Sequence, residues 1–315
     1  WKTYRFWTLS YQGDFANNRH HHHRERNTGE GISVRYLGSQ GKISDKFVIR
    51  HVRNIFLAEY FTGNSNSQDI ELYNHQKGMK YSIHMTQRKL PIGIQSFQEI
   101  RTGGYAYVDK TPYIASLVRE GKYYFLSRPR RFGKSLFIDT LECAFSGRSD
   151  LFTGLYLHSL EPGWDFTHTY PVLRIDFAGG TLRSSSDLTN RLHRILDSWE
   201  HKYSIGHSNG SPGDRLLTLI PQISEKTQSQ VVILVDEYDK PILDNLGDSH
   251  LATDMRDLLK DFYGAIKPLD VHVKFVLLTG VSKFSKTGIF SGLNNLKDIT
   301  LNRRYSAICG YTQED

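Results

Sequence analysis

The sequence predicts an α/β protein: a parallel sheet covered by helices on both faces, behind a poorly structured N-terminal segment. Three observations predict it. The near-continuous apolar runs Val172–Phe177, Val231–Val235 and Val271–Leu278 read as strands buried on both faces. Helical patterns at Ser186–Tyr203, Gly213–Lys226 and Leu251–Ile266 alternate with them. Finally, Gly133-Lys134-Ser135 falls between a β-rich run and an apolar helix, the setting of a phosphate-binding loop.

The first 84 residues read differently from the rest. They hold 12 Lys/Arg against 7 Asp/Glu, leaving a nearly balanced 28 against 26 for residues 85–315. Most of the net charge of +7 therefore lies outside the part that reads as an enzyme, which gives nucleic-acid binding no support. Half of the 14 histidines are here, including His20–His23, which reads as a low-complexity tract rather than a shaped metal site. Only residues 46–60 carry a helix-like apolar spacing. Residues 1–84 are expected to be no evolved domain, with the natural protein starting at Met85.

From residue 89 onward the elements follow in order. Lys89–Gln95 and Tyr105–Val108 read as short extended pieces. Thr111-Pro112 predicts a helix start with Thr111 as N-cap, ending at a left-handed Gly121. A β-rich run at 122–127, the loop, and a helix over Lys134–Phe145 come next. Asp298–Leu301 is a further strand candidate.

The loop reads Ser127-Arg-Pro-Arg-Arg-Phe-Gly-Lys-Ser135. Gly133, Lys134 and Ser135 fit the end of the P-loop pattern, while Arg128 stands at its first glycine position. A helix N-terminus there favours an anion; Lys134 would reach the β- and γ-phosphates of ATP and the Ser135 hydroxyl would bind Mg²⁺. Arg128, Arg130 and Arg131 read equally as extra phosphate neutralisation or as a solvated basic rim or salt bridges that fix the loop. About a hundred residues on, the apolar strand ending Val235-Asp236-Glu237 puts carboxylates at the ligand-binding edge of a parallel sheet. Asp236 would hold Mg²⁺ and Glu237 polarise the attacking water. Asp239 reads as a brace for the turn before Pro241. Thr279 either contacts the γ-phosphate or attacking water, or simply begins a turn.

Together these motifs resemble the predicted AAA-ATPase-like domain of many bacterial proteins. The resemblance runs over 89–315, through Leu90-Pro-Ile-Gly-Ile-Gln95, Tyr107-Val-Asp-Lys-Thr-Pro112, Leu126–Leu136, Val235-Asp-Glu-Tyr-Asp-Lys-Pro241, Leu278–Ser285 and Phe290–Leu296. It implies an ASCE-type sheet, with the Thr279 strand between the loop strand and the Asp236 strand. It also implies nucleotide contacts from Arg130, Arg131, Phe132, Gly133, Lys134, Ser135 and Leu136. Catalytic roles would fall to Glu237, Lys134 and Thr279, and the metal to Ser135 and Asp236. Such proteins often continue into a helical lid and a nuclease-like domain. The sequence is therefore expected to comprise an ATPase domain over 85–302 and the truncated start of a lid over 303–315, with a capping-box-like signal at Thr312–Asp315.

No apolar run approaches the length of a membrane span, and two cysteines make no disulfide framework, so a cytoplasmic setting is expected. The functional expectation is binding and hydrolysis of Mg-ATP to control an attached or partner effector, in a possible homo-oligomer. The alternatives are a nucleotide sensor without useful turnover and the ATPase part of a nucleic-acid-processing protein.

Overall fold

The computed structural model describes residues 7–12, 48–50, 55–58, 67–74, 79–160, 163–283 and 288–312. The chain divides into two compact units, Trp1–Leu90 with Gly104–Ala106, and Pro91–Gly103 with Tyr107–Asp315. The His20–His23 tract, Phe284-Ser285 and the end of the Thr312–Asp315 signal lie outside the described residues.

In the first unit, five backbone segments pair antiparallel: β1 (Trp7–Gln12), β2 (Val48–Arg50), β3 (Ile55–Ala58), β4 (Ser67–Asn74) and β5 (Met79–Gln87). Their order is β1-β5-β4-β3-β2, with β4 and β5 in register from Ser67↔Thr86 to Asn74↔Met79. The helix-like spacing at 46–60 thus falls on two short strands. Short apolar runs rich in β-branched and aromatic residues, such as Ile55-Phe56-Leu57, satisfy either period, and pairing decides between them.

The second unit carries the predicted α/β architecture. After α1 (Phe97–Thr102) and α2 (Thr111–Glu120) come β6 (Tyr123–Ser127), α3 (Lys134–Phe145), α4 (Tyr156–Ser159), β7 (Val172–Asp176), α5 (Ser185–Lys202) and α6 (Pro212–Thr227). The chain then forms β8 (Val231–Asp236), α7 (Lys240–Leu243), α8 (Ser249–Gly264), β9 (Val273–Gly280) and β10 (Lys297–Asp298). Strand order is β10-β6-β9-β8-β7, every pair parallel. β9 lies between β6 and β8, as the resemblance implied.

Alternate residues of each strand feed two cores, which is why the runs are apolar throughout. Phe125, Ile233, Val235, Val276 and Leu278 pack with Leu192 and Leu196 of α5, Leu219 and Ile223 of α6, and Leu259 of α8. On the other face Tyr124, Leu126, Leu234, Phe275 and Leu277 pack with Ile114 and Leu117 of α2 and Ile138 and Leu141 of α3. Both faces of the sheet are thus dry and covered.

Local chemistry departs from expectation at four points. Thr111 is the first helical residue rather than the cap; its hydroxyl accepts the Leu157 N–H at 3.0 Å and so ties α2 to α4. Gly121 is extended at φ 175°, and what requires a glycine there is close approach: a Cβ would lie 2.6 Å from the Tyr124 hydroxyl. Residues 91–94 form a turn, closed by Ile94 N–H to Pro91 O, instead of an extended piece. β10 is limited to Lys297–Asp298: Ile299 N–H still donates to Phe125 O at 3.0 Å, and the Asp298 side chain then accepts the Thr300 N–H at 2.9 Å and turns the backbone away.

Candidate functional site

The carboxyl ends of β6, β9, β8 and β7 share one edge of the sheet. β6 leads into the loop 128–133. Arg128 N–H donates to Gly280 O at 3.1 Å, extending the β6–β9 ladder one residue before the chain leaves it. The loop turns through left-handed backbone at Arg131 (φ 66°) and Gly133 (φ 84°), and α3 begins at Lys134. Side chains cap the first turns of α1, α5, α6 and α8, through Ser96, Ser184, Ser211 and Asp248. α3 has no such cap and no acidic residue in its first turn. Its orphan N–H groups, at the positive end of the helix dipole, therefore face the loop without a built-in acceptor.

Lys134 is 5 % exposed. Its ammonium donates to the Arg128 carbonyl at 3.0 Å and the Pro129 carbonyl at 3.1 Å. A buried ammonium held by neutral dipoles is an electrostatic invitation to an anion. Arg130, Arg131, Phe132 and Gly133 are exposed on the loop, Phe132 at 46 %, and Ser135 and Leu136 are half-buried at the start of α3.

Two strands away, Asp236 ends β8 and is 1 % exposed. Its Oδ1 accepts the Thr279 hydroxyl at 2.7 Å and the Glu237 N–H at 3.1 Å. Thr279, fully buried at the end of β9, thus faces the strand beside it, and hydrogen-bonds the carboxylate as well as preceding a turn. Glu237 adopts φ 53°, a left-handed conformation uncommon for a non-glycine residue and concentrated at functional sites. Burial raises its carboxyl above the ordinary range, reinforced by Asp236 and Asp176; Lys134 and Arg130 draw it partly back. Two cations of the loop segment, Lys134 and Arg130, are thus close enough to act on the Glu237 carboxyl.

Asp239, also 1 % exposed, accepts the Val281 N–H at 3.0 Å and the Ser282 N–H at 2.5 Å through Oδ2. It braces the turn that follows β9, not the one before Pro241. Burial raises this carboxyl, and the two N–H donors counter the rise in part. Gly280 is required at that turn: a Cβ would lie 2.4 Å from the Tyr238 ring and 2.7 Å from Asp239 Oδ1.

Sequence reasoning missed Asp176, which ends β7 in register with Asp236 and contributes to the electrostatics of Glu237. The signal was available, since Val172-Leu-Arg-Ile-Asp176 ends an apolar strand in a carboxylate just as Val231–Asp236 does. Arg128 is the other surprise. Its guanidinium bonds backbone carbonyls of Ser127, Thr300 and Tyr305, so the loop-fixing reading fits it.

Among the described residues, Asp197, Glu200 and His207 form a second cluster, with ligating atoms within 4.8 Å of one another. Arg215 Nη2 already sits 2.7 Å from Asp197 Oδ1 and 2.8 Å from Glu200 Oε2, so a fixed guanidinium fills the cation position. None of the described helices is long and apolar enough to cross a membrane.

Residues 91–290 match the family described as AAA-ATPase-like, predicted AAA-ATPase. A protein of Azotobacter chroococcum mcd 1, described as "Uncharacterized protein in vnfD 5'region", is 50 % identical over 232 residues, which cover 73 % of this chain and 44 % of that protein. The chain thus spans less than half the length of that curated relative. With a family match over more than half its length, mapped onto this sheet and loop, the chain belongs to the predicted AAA-ATPase family.

Proposed function

We propose that this chain binds Mg-ATP at the β6–α3 loop and hydrolyses it, using the bound state or turnover to control an attached or partner effector. Membership of a predicted AAA-ATPase family suggests nucleotide binding and ATP hydrolysis. The observation that carries the reading is Lys134: a buried ammonium resting on two carbonyls, at the uncapped start of a helix, whose charge acts on Glu237. Lys134 and the first-turn N–H groups would take the β- and γ-phosphates, with Arg130 and Arg131 exposed at the rim.

The donor set fits Mg²⁺. Ser135 and Asp236 offer oxygen only, and both hydrogen bonds to Asp236 use Oδ1, which leaves Oδ2 to serve a cation. The ion when bound neutralises charge on the β- and γ-phosphates. Thr279 would keep Asp236 oriented. Glu237 would accept a proton from the attacking water, a role that a raised carboxyl at the site's edge suits.

The test is a titration with ATP in the presence of Mg²⁺ and then of EDTA, on wild type and Lys134→Ala. The wild type should bind in a Mg²⁺-dependent manner, and the variant should lose about 2–5 kcal/mol of binding, the cost of removing one partner of a desolvated charge pair. Equal affinity in the two proteins would remove the loop from the account.

A further inference from the structure

The residue at the loop's first glycine position makes contacts that link the phosphate site to a distant stretch of chain. The Arg128 carbonyl accepts the Lys134 ammonium at 3.0 Å. Its side chain points the other way. Nη1 donates to the Ser127 carbonyl at 3.1 Å and to the Thr300 carbonyl, and Nη2 donates to the Tyr305 carbonyl at 3.2 Å. One residue therefore has its backbone under the phosphate-seeking amine and its guanidinium on residues 300–305.

Residues 299–310 are moored to β6 at one end and approach the loop at the other. Ile299 N–H donates to Phe125 O at 3.0 Å, and Ser127 N–H donates to Thr300 Oγ1 at 3.0 Å. In the middle, the Tyr305 hydroxyl donates to Glu120 Oε2 at 2.9 Å, and Ile308 N–H closes a turn onto Tyr305 O at 3.2 Å. At the far end Gly310 lies against the loop tip. A Cβ on it would lie 3.4 Å from the Phe132 ring, and a Cβ on Gly133 would lie 4.0 Å from the Gly310 nitrogen.

We propose that Arg128 is a positioning residue that passes the loop's ligand state to residues 299–310. The proposal rests on the Mg-ATP reading above. An ammonium bonded to phosphate oxygens has an opposite charge as its acceptor and gains attraction that a neutral carbonyl cannot supply, so bound polyphosphate draws Lys134 away from the Arg128 and Pro129 carbonyls. The Arg128 peptide then changes partners. Its guanidinium is a rigid planar fork, so a shift of that peptide is imposed on Thr300 and Tyr305 instead of being absorbed by a flexible stem. A glycine at this position would leave the loop free of that segment. A lysine would keep the charge but lack the fork that grips two carbonyls five residues apart.

Hydrogen exchange on the full chain tests this, with and without a saturating nonhydrolysable ATP analogue and Mg²⁺. In the wild type the analogue should slow exchange several-fold in the loop 132–136 and also at the Tyr305 and Ile308 amides. In Arg128→Gln, at saturation, loop protection should remain while the response at Tyr305 and Ile308 is lost. A wild-type response of those amides in Arg128→Gln overturns the proposal and leaves the Mg-ATP reading intact, as does a wild type that protects its loop with no change at Tyr305 and Ile308. Absence of loop protection in the wild type overturns both. If Arg128→Gln does not fold, Arg128→Lys decides in the same way: loss of the distal response supports the fork, and a wild-type response contradicts it.

Discussion

The hydroxyl of Thr279 and the carboxylate of Asp236 are the most constrained polar pair in the site, both buried and 2.7 Å apart. Thr279→Val preserves shape and removes the donor. Asp236 then keeps only the Glu237 N–H on Oδ1, and a buried acceptor left short of a partner costs about 1–3 kcal/mol. Thr279→Val is therefore expected to lower the unfolding free energy by that amount, read from urea melts, and to lower kcat because the carboxylate is less well oriented. Unchanged stability and kcat would remove Thr279 from the site. At this scale the sequence was readable where motifs support one another. Lys134 after a glycine and before a hydroxyl, and Asp236 after an apolar strand, are weak signals alone and gained a reading from each other and from the strand and helix around them. For Arg128 and Asp239 the reading stayed open or missed, because most of their partners are backbone carbonyls and N–H groups of residues 281–305, and no pattern in sequence announces a bond to a distant peptide.

Elements were legible where hydrophobic period and capping agree. α6 begins with Ser211 and Asp214 in a reciprocal capping box and Pro212 in its first turn, and its apolar face repeats at Leu216, Leu219, Ile220 and Ile223. β10 was over-read, since Ile299 and Leu301 look strand-like while the Asp298 side chain turns the backbone away after Ile299. What joins α5 to α6 was invisible in sequence: Arg215, 2 % exposed, pairs with Asp197 and Glu200, and Glu200 also takes His207 and Ser208. Burial alone would raise the Glu200 carboxyl, but the hydrogen bonds from Arg215, His207 and Ser208 outweigh it and bring it down to about 2. A depressed carboxyl stabilises the fold above its ordinary pKa, and that stability is lost as pH falls from about 4.5 towards about 2. Glu200→Gln should accordingly be less stable at neutral pH and show a flatter decline over that window. Denaturation midpoints against pH give the comparison. Parallel curves for the two proteins would mean that Glu200 is not the titrating group.

Over the whole molecule, two-sided burial of a parallel sheet places every strand's carboxyl end on one edge, and β9 between β6 and β8 sets Thr279 beside Asp236. Both cores of the second unit are built from residues 97–309. Deleting residues 1–84 should leave the thermal midpoint of the remainder nearly unchanged, and a large fall would show that the first unit supports the second. The parallel sense of the strands was legible because they are apolar on both faces, while their order came from the resemblance; the antiparallel pairing of β1–β5 was not legible, because runs of three to nine residues leave period and partner open. In the proposed function the loop holds the phosphates while Glu237, just past the end of β8 and two strands from β6, activates water. The two roles separate most cleanly in Glu237→Gln, which keeps the shape and the loop but removes the base. The decisive measurement is single-turnover phosphate release with Mg-ATP, alongside affinity, in Glu237→Gln and wild type. Affinity should stay near the wild-type value while turnover falls by about 10²–10⁴-fold, the range that general-base catalysis contributes; equal rates in the two proteins would exclude Glu237 as the base.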